Sequence, residues 1–254
     1  MPWAKREEIF NGVLGMLKTN LAVKEGERLI VATDIPRQLD WQEMVLDDLR
    51  SMLERAELGR QVAMIASEQL PQSQVEYLAF PTTGGHGREI DSPTAARLAE
   101  ADVVVALTTF SITHTNARTQ ATASGARFAS MPEFEARMFA AGGPLAADAN
   151  HVAELAQRIA ALLEAAEDVE LKTPSGTYLR FSISGRPGCA DDGLYHTPGR
   201  WGNLPAGEAF SVPVEGSGSG RLVVSAGWYP KLKEEMVFYI EKGMVVELQG
   251  GGAV

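Results

Sequence analysis

Residues 102–109, DVVVALTT, are the stretch that most limits what this chain can fold into. The run is apolar and rich in β-branched residues, without the polar alternation of a half-exposed strand, which is typical of a strand covered on both faces. Helical patterns lie on both sides of it along the chain, and helices between buried strands favour parallel crossovers. We therefore predict an N-terminal α/β unit, doubly wound around a mostly parallel sheet.

The other elements of this unit are predicted from periodicity and capping signals. Asp40 and Glu43 form a capping-box pattern before the helical run WQEMVLDDLRSMLERAEL, and Ser92 is the expected N-cap of a helix with Pro93 at its first position. Further helices are expected in EEIFNGVLGMLKTNL, NARTQATASGA, PEFEARMFA and HVAELAQRIAALLEAAED. Further strands are expected at Leu29–Ala32 and in RQVAMIAS and RFASMP.

The pattern changes near residue 168. DVELKTPSGTYLRFSISGR predicts two strands around a Pro-Ser-Gly turn, and GRLVVSAGW, EMVFYIEKG and MVVELQGG predict further short strands. We therefore expect two domains, residues 1–165 and residues 166–254. The second is expected to be smaller, of α+β class and largely antiparallel.

Composition excludes several classes of function. A formal net charge of −10 argues against a nucleic-acid partner, because phosphate binding needs a concentrated basic face. No apolar run approaches the roughly 20 residues that span a bilayer, and MPWAKREEIF lacks the apolar core of a secretory signal. We therefore expect a cytoplasmic protein with no membrane partner. The single cysteine, Cys189, excludes an internal disulfide framework and a cysteine-cluster metal site.

None of the four histidines lies within a few residues of another, so the sequence predicts no local metal-binding pair. His114 follows the third predicted strand, where an open parallel sheet usually collects its ligand contacts. Its neighbours Ser111, Thr113 and Thr115 can equally cap the next helix, and both interpretations stay open. The Gly-rich GGHGRE segment is expected to be a loop rather than a nucleotide site, because no helix start follows it directly.

The segment CADDGLYHTPGRWGNLPAGEAF has the densest set of polar groups at loop positions, and its Gly and Pro residues fix its path. Rigid loops of this kind display binding groups. Its candidate ligand-binding residues are Asp191, Asp192, His196, Arg200, Asn203 and Glu208, although any one of them can instead be a turn former. Glu208 lies between a glycine and an alanine and is expected to be partly shielded from water, so that it needs a cation or donors. Either a divalent metal ion or a salt bridge to Arg200 or Arg186 would meet that need.

These residues resemble a known family. GTYLRFSISGR, a following D-G turn and GNLPAGEAFSVPVEGSGSGRLVV resemble the metallopeptidase family of aminopeptidase T and aminopeptidase S. ADVVVALTTFSITHTNARTQATASGARFASMP is similar to the N-terminal domain of that family, and FYIEKGMVVELQGG to its hairpin after the motif. Members carry a pair of divalent metal ions that activate water for attack on an N-terminal peptide bond.

The resemblance implies an aminopeptidase that depends on Zn²⁺ or Co²⁺, acts on a peptide or small-molecule substrate and forms a homo-oligomer. It makes Glu208 a metal ligand. The residues that it implies in substrate binding or loop support are His196, Arg200, Asn203 and His114. In the family, further Glu, His and Asp ligands follow the point where this chain stops, so we expect this chain to supply only part of the site. Three expectations follow. The chain is a truncated or processed form, its site is completed by another chain, or it has lost the peptidase activity.

The same fold is shared by an iron-dependent dioxygenase that opens 2,5-dihydroxypyridine, whose PGRW turn resembles TPGRW at residues 197–201. This relation implies an alternative function, a mononuclear Fe(II) ring-cleaving oxygenase. Because that enzyme lacks the acid of the Gly-Glu pair, Glu208 favours the peptidase hypothesis. A third hypothesis is a non-catalytic binding module in which Glu208 has only a structural role.

Overall fold

A computed structural model describes residues 4–229 and 231–252, which divide into two compact units. The first unit contains the chain up to Glu154 together with Asp191–Gly207, and the second contains Leu155–Ala190 together with the chain from Glu208 on. This division differs from the single boundary predicted between residues 165 and 166. Residues 201–203 form a strand that joins the parallel sheet of the first unit, so the chain returns to that unit after leaving it.

The helices, in chain order, are α1 (Arg6–Gly15), α2 (Asp40–Glu43), α3 (Leu46–Gln69), α4 (Ser92–Ala99), α5 (Asn116–Ala123) and α6 (Ala149–Ala165). A π-helical turn, Met16–Asn20, follows α1, and two 3-10 turns cover Ala136–Met138 and Pro144–Ala146. The strands are β1 (Arg28–Ile35), β2 (Gln74–Pro81), β3 (Val103–Leu107), β4 (Arg127–Ser130), β5 (Asp168–Lys172), β6 (Tyr178–Ser182), β7 (Cys189–Asp191), β8 (Trp201–Asn203), β9 (Glu208–Phe210), β10 (Ser219–Val224), β11 (Met236–Glu241) and β12 (Met244–Gly250).

The first unit is built on a five-stranded sheet in the order β2-β1-β3-β4-β8, with every pair parallel. All five residues of β3 are buried, as the run DVVVALTT predicts. Alternate residues of β1 enter two separate cores: Leu29 and Val31 pack with α1 and α3, whereas Ile30 and Ala32 pack with α4 and α5. Helices therefore cover both faces of the sheet, and the predicted doubly wound α/β class is confirmed.

The predicted strand RQVAMIAS is wrong, because these residues continue α3. Leu58, Val62 and Ile65 recur at helical spacing and are buried in one core, so the segment extends the apolar face of the helix. The strand that follows β1 in sequence is instead β2, in the segment QVEYLAFP. It lies at an edge of the sheet and is only partly buried, which explains its mixed polarity.

Three local predictions also need correction. The N-cap of α4 is Asp91 rather than Ser92, because the Asp91 carboxylate accepts the Thr94 backbone N–H at 2.9 Å. The capping-box pattern at Asp40 does not start the long helix: α2 ends at Glu43 and α3 begins three residues later. The segment PEFEARMFA forms a short 3-10 turn in place of the expected helix.

The second unit is built on an antiparallel sheet in the order β12-β11-β10-β6-β5, which confirms the predicted change of pattern after residue 168. β5 and β6 pair around the Pro-Ser-Gly turn, and β11 and β12 form the expected hairpin. β7 and β9 form a separate two-stranded ribbon. Across the described residues, we find no helix with the length and apolarity needed to cross a membrane.

Candidate functional site

The carboxyl ends of the parallel strands meet along one edge of the first unit, and the strand order reverses between β1 and β3. Open α/β sheets bind their ligands outside such a reversal. Asp34, near the end of β1, is 2 % exposed. Its carboxylate accepts the Thr82 hydroxyl at 2.8 Å and the Thr109 backbone N–H at 2.6 Å. These bonds tie the loops after β2 and β3 to the end of β1.

Arg55 of α3 reaches the same edge and is only 7 % exposed. It donates through Nη1 to Thr109 Oγ1 at 2.8 Å and through Nε to the Phe134 carbonyl at 3.3 Å. Burial lowers the pKa of Arg55, while Asp34 and the acids that follow β4 act in the opposite direction. The hydroxyl of Thr108, at the end of β3, is sealed from solvent and has no hydrogen-bond partner among the described residues.

A second cluster of polar side chains lies where β4 and β8 end. Thr113 Oγ1 is 2.8 Å from Ser130 Oγ and 3.0 Å from Asn203 Oδ1, and it accepts the Ser111 hydroxyl at 2.8 Å. The predicted site residue Asn203 is thus held by the loop that follows β3. Of the three candidate caps for α5, Thr115 takes that role by accepting the Arg118 backbone N–H.

His114 and Arg118 contact the indole of Trp201 from two directions. The His114 ring meets it edge-on at 6.0 Å between centroids, and the Arg118 guanidinium lies over it at 3.9 Å. Arg118 Nε also donates to the Thr113 carbonyl at 2.8 Å. Burial lowers the pKa of Arg118, and no described carboxylate lies within ion-pair distance of it. The structure therefore brings His114 and Asn203 to one edge, joined through Thr113.

Tyr195 fixes the path of the motif that contains Asn203. Its side chain is 1 % exposed, and its hydroxyl lies 3.0 Å from Asp191 Oδ1 and 2.7 Å from the Asn203 carbonyl oxygen. Burial and the neighbouring Asp191 raise the pKa of this hydroxyl, which stays protonated and can donate. A Cβ at Gly202 would lie 2.3 Å from the hydroxyl oxygen, so this position requires glycine.

The far end of the same loop is held at Gly207. Its N–H donates to the Asp191 carbonyl at 3.0 Å, and its φ of 121° lies in the region that favours glycine. A Cβ there would also lie 2.7 Å from the Val152 side chain. The concentration of glycine in GRWGNLPAGEAF is thus explained by close contacts at both ends of the loop.

His196 and Arg200 lie away from Asn203, before the amino end of β8. His196 Nε2 is 2.6 Å from the Thr19 carbonyl oxygen in the π-helical turn. The Arg200 guanidinium lies 3.5 Å from Asp192, and its carbonyl accepts the backbone N–H of Phe128. Both residues support the loop in this structure. Their predicted role in substrate binding has no geometric support in the first unit.

Glu208 opens β9 in the second unit and is exposed, so the expectation that it is shielded from water is wrong. Its small neighbours provide no cover, and Phe210, two residues on, is itself 46 % exposed. Neither predicted salt bridge forms among the described residues, because Arg200 faces Asp192 and Arg186 pairs with Glu215.

The described residues were also tested for a metal centre, as the family resemblance implies one. They contain no group of three or more His, Cys, Asp or Glu side chains placed to hold an ion. A single exposed carboxylate at Glu208 is not a donor set for a catalytic ion, which normally has three protein ligands in zinc enzymes. The residues present therefore do not fit a complete metal site.

Sequence reasoning missed several residues of this edge, above all Arg55, Arg118 and Trp201. Arg55 lies within a helical run that also contains exposed charges, and nothing in the local pattern marks it as buried. Arg118 and Trp201 are 83 residues apart, and only the pairing of β8 with β4 brings them together. The position of Asp34 near the end of a buried run was a signal for the switch point, in addition to that of His114 after the third predicted strand.

Comparison with known proteins identifies the family. The family model described as NicX, 2,5-dihydroxypyridine 5,6-dioxygenase, matches residues 13–254. The chain belongs to this family. No curated protein matches the sequence.

Two solved structures share the fold of this NicX-family chain. The 2,5-dihydroxypyridine dioxygenase from Pseudomonas putida KT2440 is 19% identical with a TM-score of 0.70, over 98% of this chain and 69% of that one. AmpT from Thermus thermophilus is 13% identical with a TM-score of 0.52, over 98% of this chain and 73% of that one. The resemblance found in the sequence is therefore confirmed at the level of the fold that these two proteins share.

Proposed function

We propose that this protein is a ring-cleaving oxygenase for a hydroxylated aromatic ring of the 2,5-dihydroxypyridine class. The observation that carries the proposal is the family match, which extends over residues 13–254 and so includes both units. The oxygenase was the alternative in the sequence analysis, where Glu208 favoured the peptidase. The family match favours the oxygenase.

The groups at the carboxyl edge of the parallel sheet in the first unit are suited to a small planar substrate. Trp201 offers an aromatic surface with His114 at its edge, and Arg118 supplies a cation without a carboxylate partner in the described chain. Asn203, held by the buried hydroxyl of Thr113, adds a hydrogen-bonding amide beside them. A flat, hydroxylated ring is a ligand that such aromatic and polar groups can orient.

A divalent metal ion is part of the proposal, and iron(II) is the metal that fits an oxygenase. When bound, it would activate oxygen for the ring opening. Glu208 is the acid that the motif offers, but it is exposed and alone among the described residues. The described residues of one chain do not complete the set of ligands, and the homo-oligomer implied by the family resemblance is one source of the others.

A metal-dependent aminopeptidase is the second candidate, favoured by the Gly207–Glu208 pair that resembles the peptidase motif. Its metal ions would be Zn²⁺ or Co²⁺, and its substrate would be an N-terminal peptide bond. The two candidates differ in co-substrate, because only the oxygenase consumes O₂.

An oxygen electrode separates the two. With Fe(II) under reducing conditions, the protein should consume O₂ when 2,5-dihydroxypyridine is added and should leave aminoacyl amides intact. Hydrolysis of aminoacyl amides with Zn²⁺ or Co²⁺, with no O₂ uptake in the iron-loaded protein, would reverse the assignment.

The part played by Glu208 is tested with Glu208→Gln beside a matched control, Glu241→Gln, which replaces another exposed acid of the second unit. Loss of a metal ligand should weaken Fe(II) binding by about tenfold or more, while the control keeps the affinity of the native protein. Equal iron affinity in both variants would remove Glu208 from the metal site without affecting the oxygenase assignment.

A further inference from the structure

A cleft of about 600 Å³ lies in the first unit, where the amino-terminal half of α3 meets α1 and the segment after β4. Arg55 is one of its walls and also bonds Thr109, at the end of β3. The cleft is therefore connected to the strand-order reversal at which open α/β sheets bind ligands. Neither the proposed oxygenase function nor the motif around Glu208 uses it.

The guanidinium of Arg55 is a buried charge on which Asp34, Glu133 and Glu135 act only from beyond ion-pair distance. The residue is 7 % exposed, and no described carboxylate lies within ion-pair distance of it. Its Nη1 and Nε have acceptors, but Nη2 donates to no described residue. Nη2 is therefore the edge of the guanidinium that has no partner among the described residues.

Four glutamates line the cleft, and three of them have arginine partners, so these three oppose an anion less strongly than free carboxylates would; the fourth, Glu8, has no ion pair among the described residues. Each of three glutamates pairs with a neighbouring arginine: Glu54 with Arg50 at 2.9 Å, Glu57 with Arg60 at 2.7 Å and Glu135 with Arg137 at 2.5 Å. Buried charges in proteins are normally paired at close range, and Arg55 has no carboxylate within ion-pair distance among the described residues.

The rest of the lining adds apolar surface. Leu58 and Phe134 belong to the hydrophobic core and contribute to the cleft wall, and Ala136 and Ala140 are half-buried beside them. Small-molecule sites typically combine a mostly apolar lining with a few convergent polar groups. A ligand here would pair one anionic end with Arg55 and place a compact apolar body against these residues.

We propose that this cleft is a binding site for a small monocarboxylate with an apolar body, whose carboxylate pairs with the free edge of Arg55. Arginine suits this role because its planar fork matches a carboxylate in a two-point contact. The site is independent of the oxygenase proposal, and its test needs no turnover.

The test is direct binding of benzoate, with benzamide as a neutral probe of nearly the same shape, measured by calorimetry on the full chain. Benzoate should bind with a dissociation constant of about 1 mM or lower, and benzamide about tenfold more weakly. Arg55→Gln should weaken benzoate binding by about thirtyfold. Arg97→Gln, which replaces an exposed arginine of the first unit whose partners Glu76 and Glu100 lie outside the cleft lining, should not change it.

Arg55 has structural contacts of its own, so a second variant avoids them. Ala136→Trp places an indole in the cleft and should abolish benzoate binding while leaving Arg55 intact. The proposal is overturned by the absence of saturable benzoate binding up to about 20 mM, by equal affinity for the two probes, or by unchanged binding in Ala136→Trp. Unchanged binding in a folded Arg55→Gln protein overturns it as well.

Discussion

At the scale of single residues, the motif around Asn203 depends on close contacts that leave no room for a side chain at its glycines. Tyr195 is buried directly against Gly202, and its hydroxyl holds the Asn203 carbonyl at 2.7 Å. Asp191 supports both ends of the loop, through its carboxylate on Tyr195 and its carbonyl on Gly207. The glycine and proline residues of the motif therefore fix the path of the loop, whereas Glu208, which follows the loop, is exposed to solvent.

Gly202→Ala should destabilise the protein by about 2 kcal/mol, because its new Cβ would lie 2.3 Å from a hydroxyl that has no room to move. Urea denaturation measures the change. Gly15→Ala is the control: this residue ends α1, and a Cβ there would meet nothing closer than 3.9 Å. Alanine should stabilise that helical position by roughly 0.5 kcal/mol. Equal effects at the two positions would contradict the close packing against Tyr195.

At the scale of helices and strands, an element could be predicted from the sequence when its burial gave it a regular pattern of apolar residues. β3 and the hairpin of β11 and β12 have patterns that match their structures, whereas β2 alternates irregularly because it is a partly buried edge strand. The wrong strand in RQVAMIAS came from apolar residues that are also spaced for a helix. β8 could not be predicted, since three residues in a Gly- and Pro-rich loop become a strand only by pairing with β4.

The N-terminus of α4 gives a sharp element-scale prediction. Asp91→Ala removes a carboxylate that accepts both the Thr94 N–H at 2.9 Å and its hydroxyl at 2.7 Å, so it should cost about 1 kcal/mol. Ser92→Ala, at the position that the sequence pattern indicated, should change the free energy of unfolding far less. A larger loss in Ser92→Ala would show that the helix begins one residue later than the structure places it.

α2 should give stability a dependence on pH. The Arg37 guanidinium, hydrogen-bonded to Asp40 at 2.8 and 2.9 Å, holds the pKa of that buried carboxyl below its ordinary value. In the unfolded chain this pKa is about 3.9. The folded state therefore gains stability above that pH, and the gain is lost as the pH falls through the lower folded-state pKa.

The effect is isolated by comparing the native protein with Arg37→Gln in urea denaturation at a series of pH values. The difference in unfolding free energy should be largest near neutrality and should shrink as the pH falls below about 4. A difference that stays constant from neutral to acidic pH would contradict the ion pair.

At the scale of the whole molecule, the α/β class and the antiparallel second part followed from the sequence, but the path of the chain between the units did not. Local patterns contain no information that residues 191–207 return to the first unit, because their strand is defined by a tertiary partner. The same reason limits what the sequence indicates about the candidate site. The sequence indicated Asn203 and His114, which meet at one edge of the sheet. It did not indicate that Arg55 and Arg118 reach the same edge, because their positions depend on the fold.

The assignment of this NicX-family chain to ring cleavage is tested most directly by the origin of the oxygen atoms in the product. The iron-loaded protein is incubated with 2,5-dihydroxypyridine under ¹⁸O₂, and the mass of the ring-opened product is measured by mass spectrometry. A dioxygenase places both atoms of one O₂ molecule in its product, so we expect two ¹⁸O atoms in each ring-opened molecule. Product oxygen that comes from water, or a ring left closed by a folded, iron-loaded protein, would contradict the assignment.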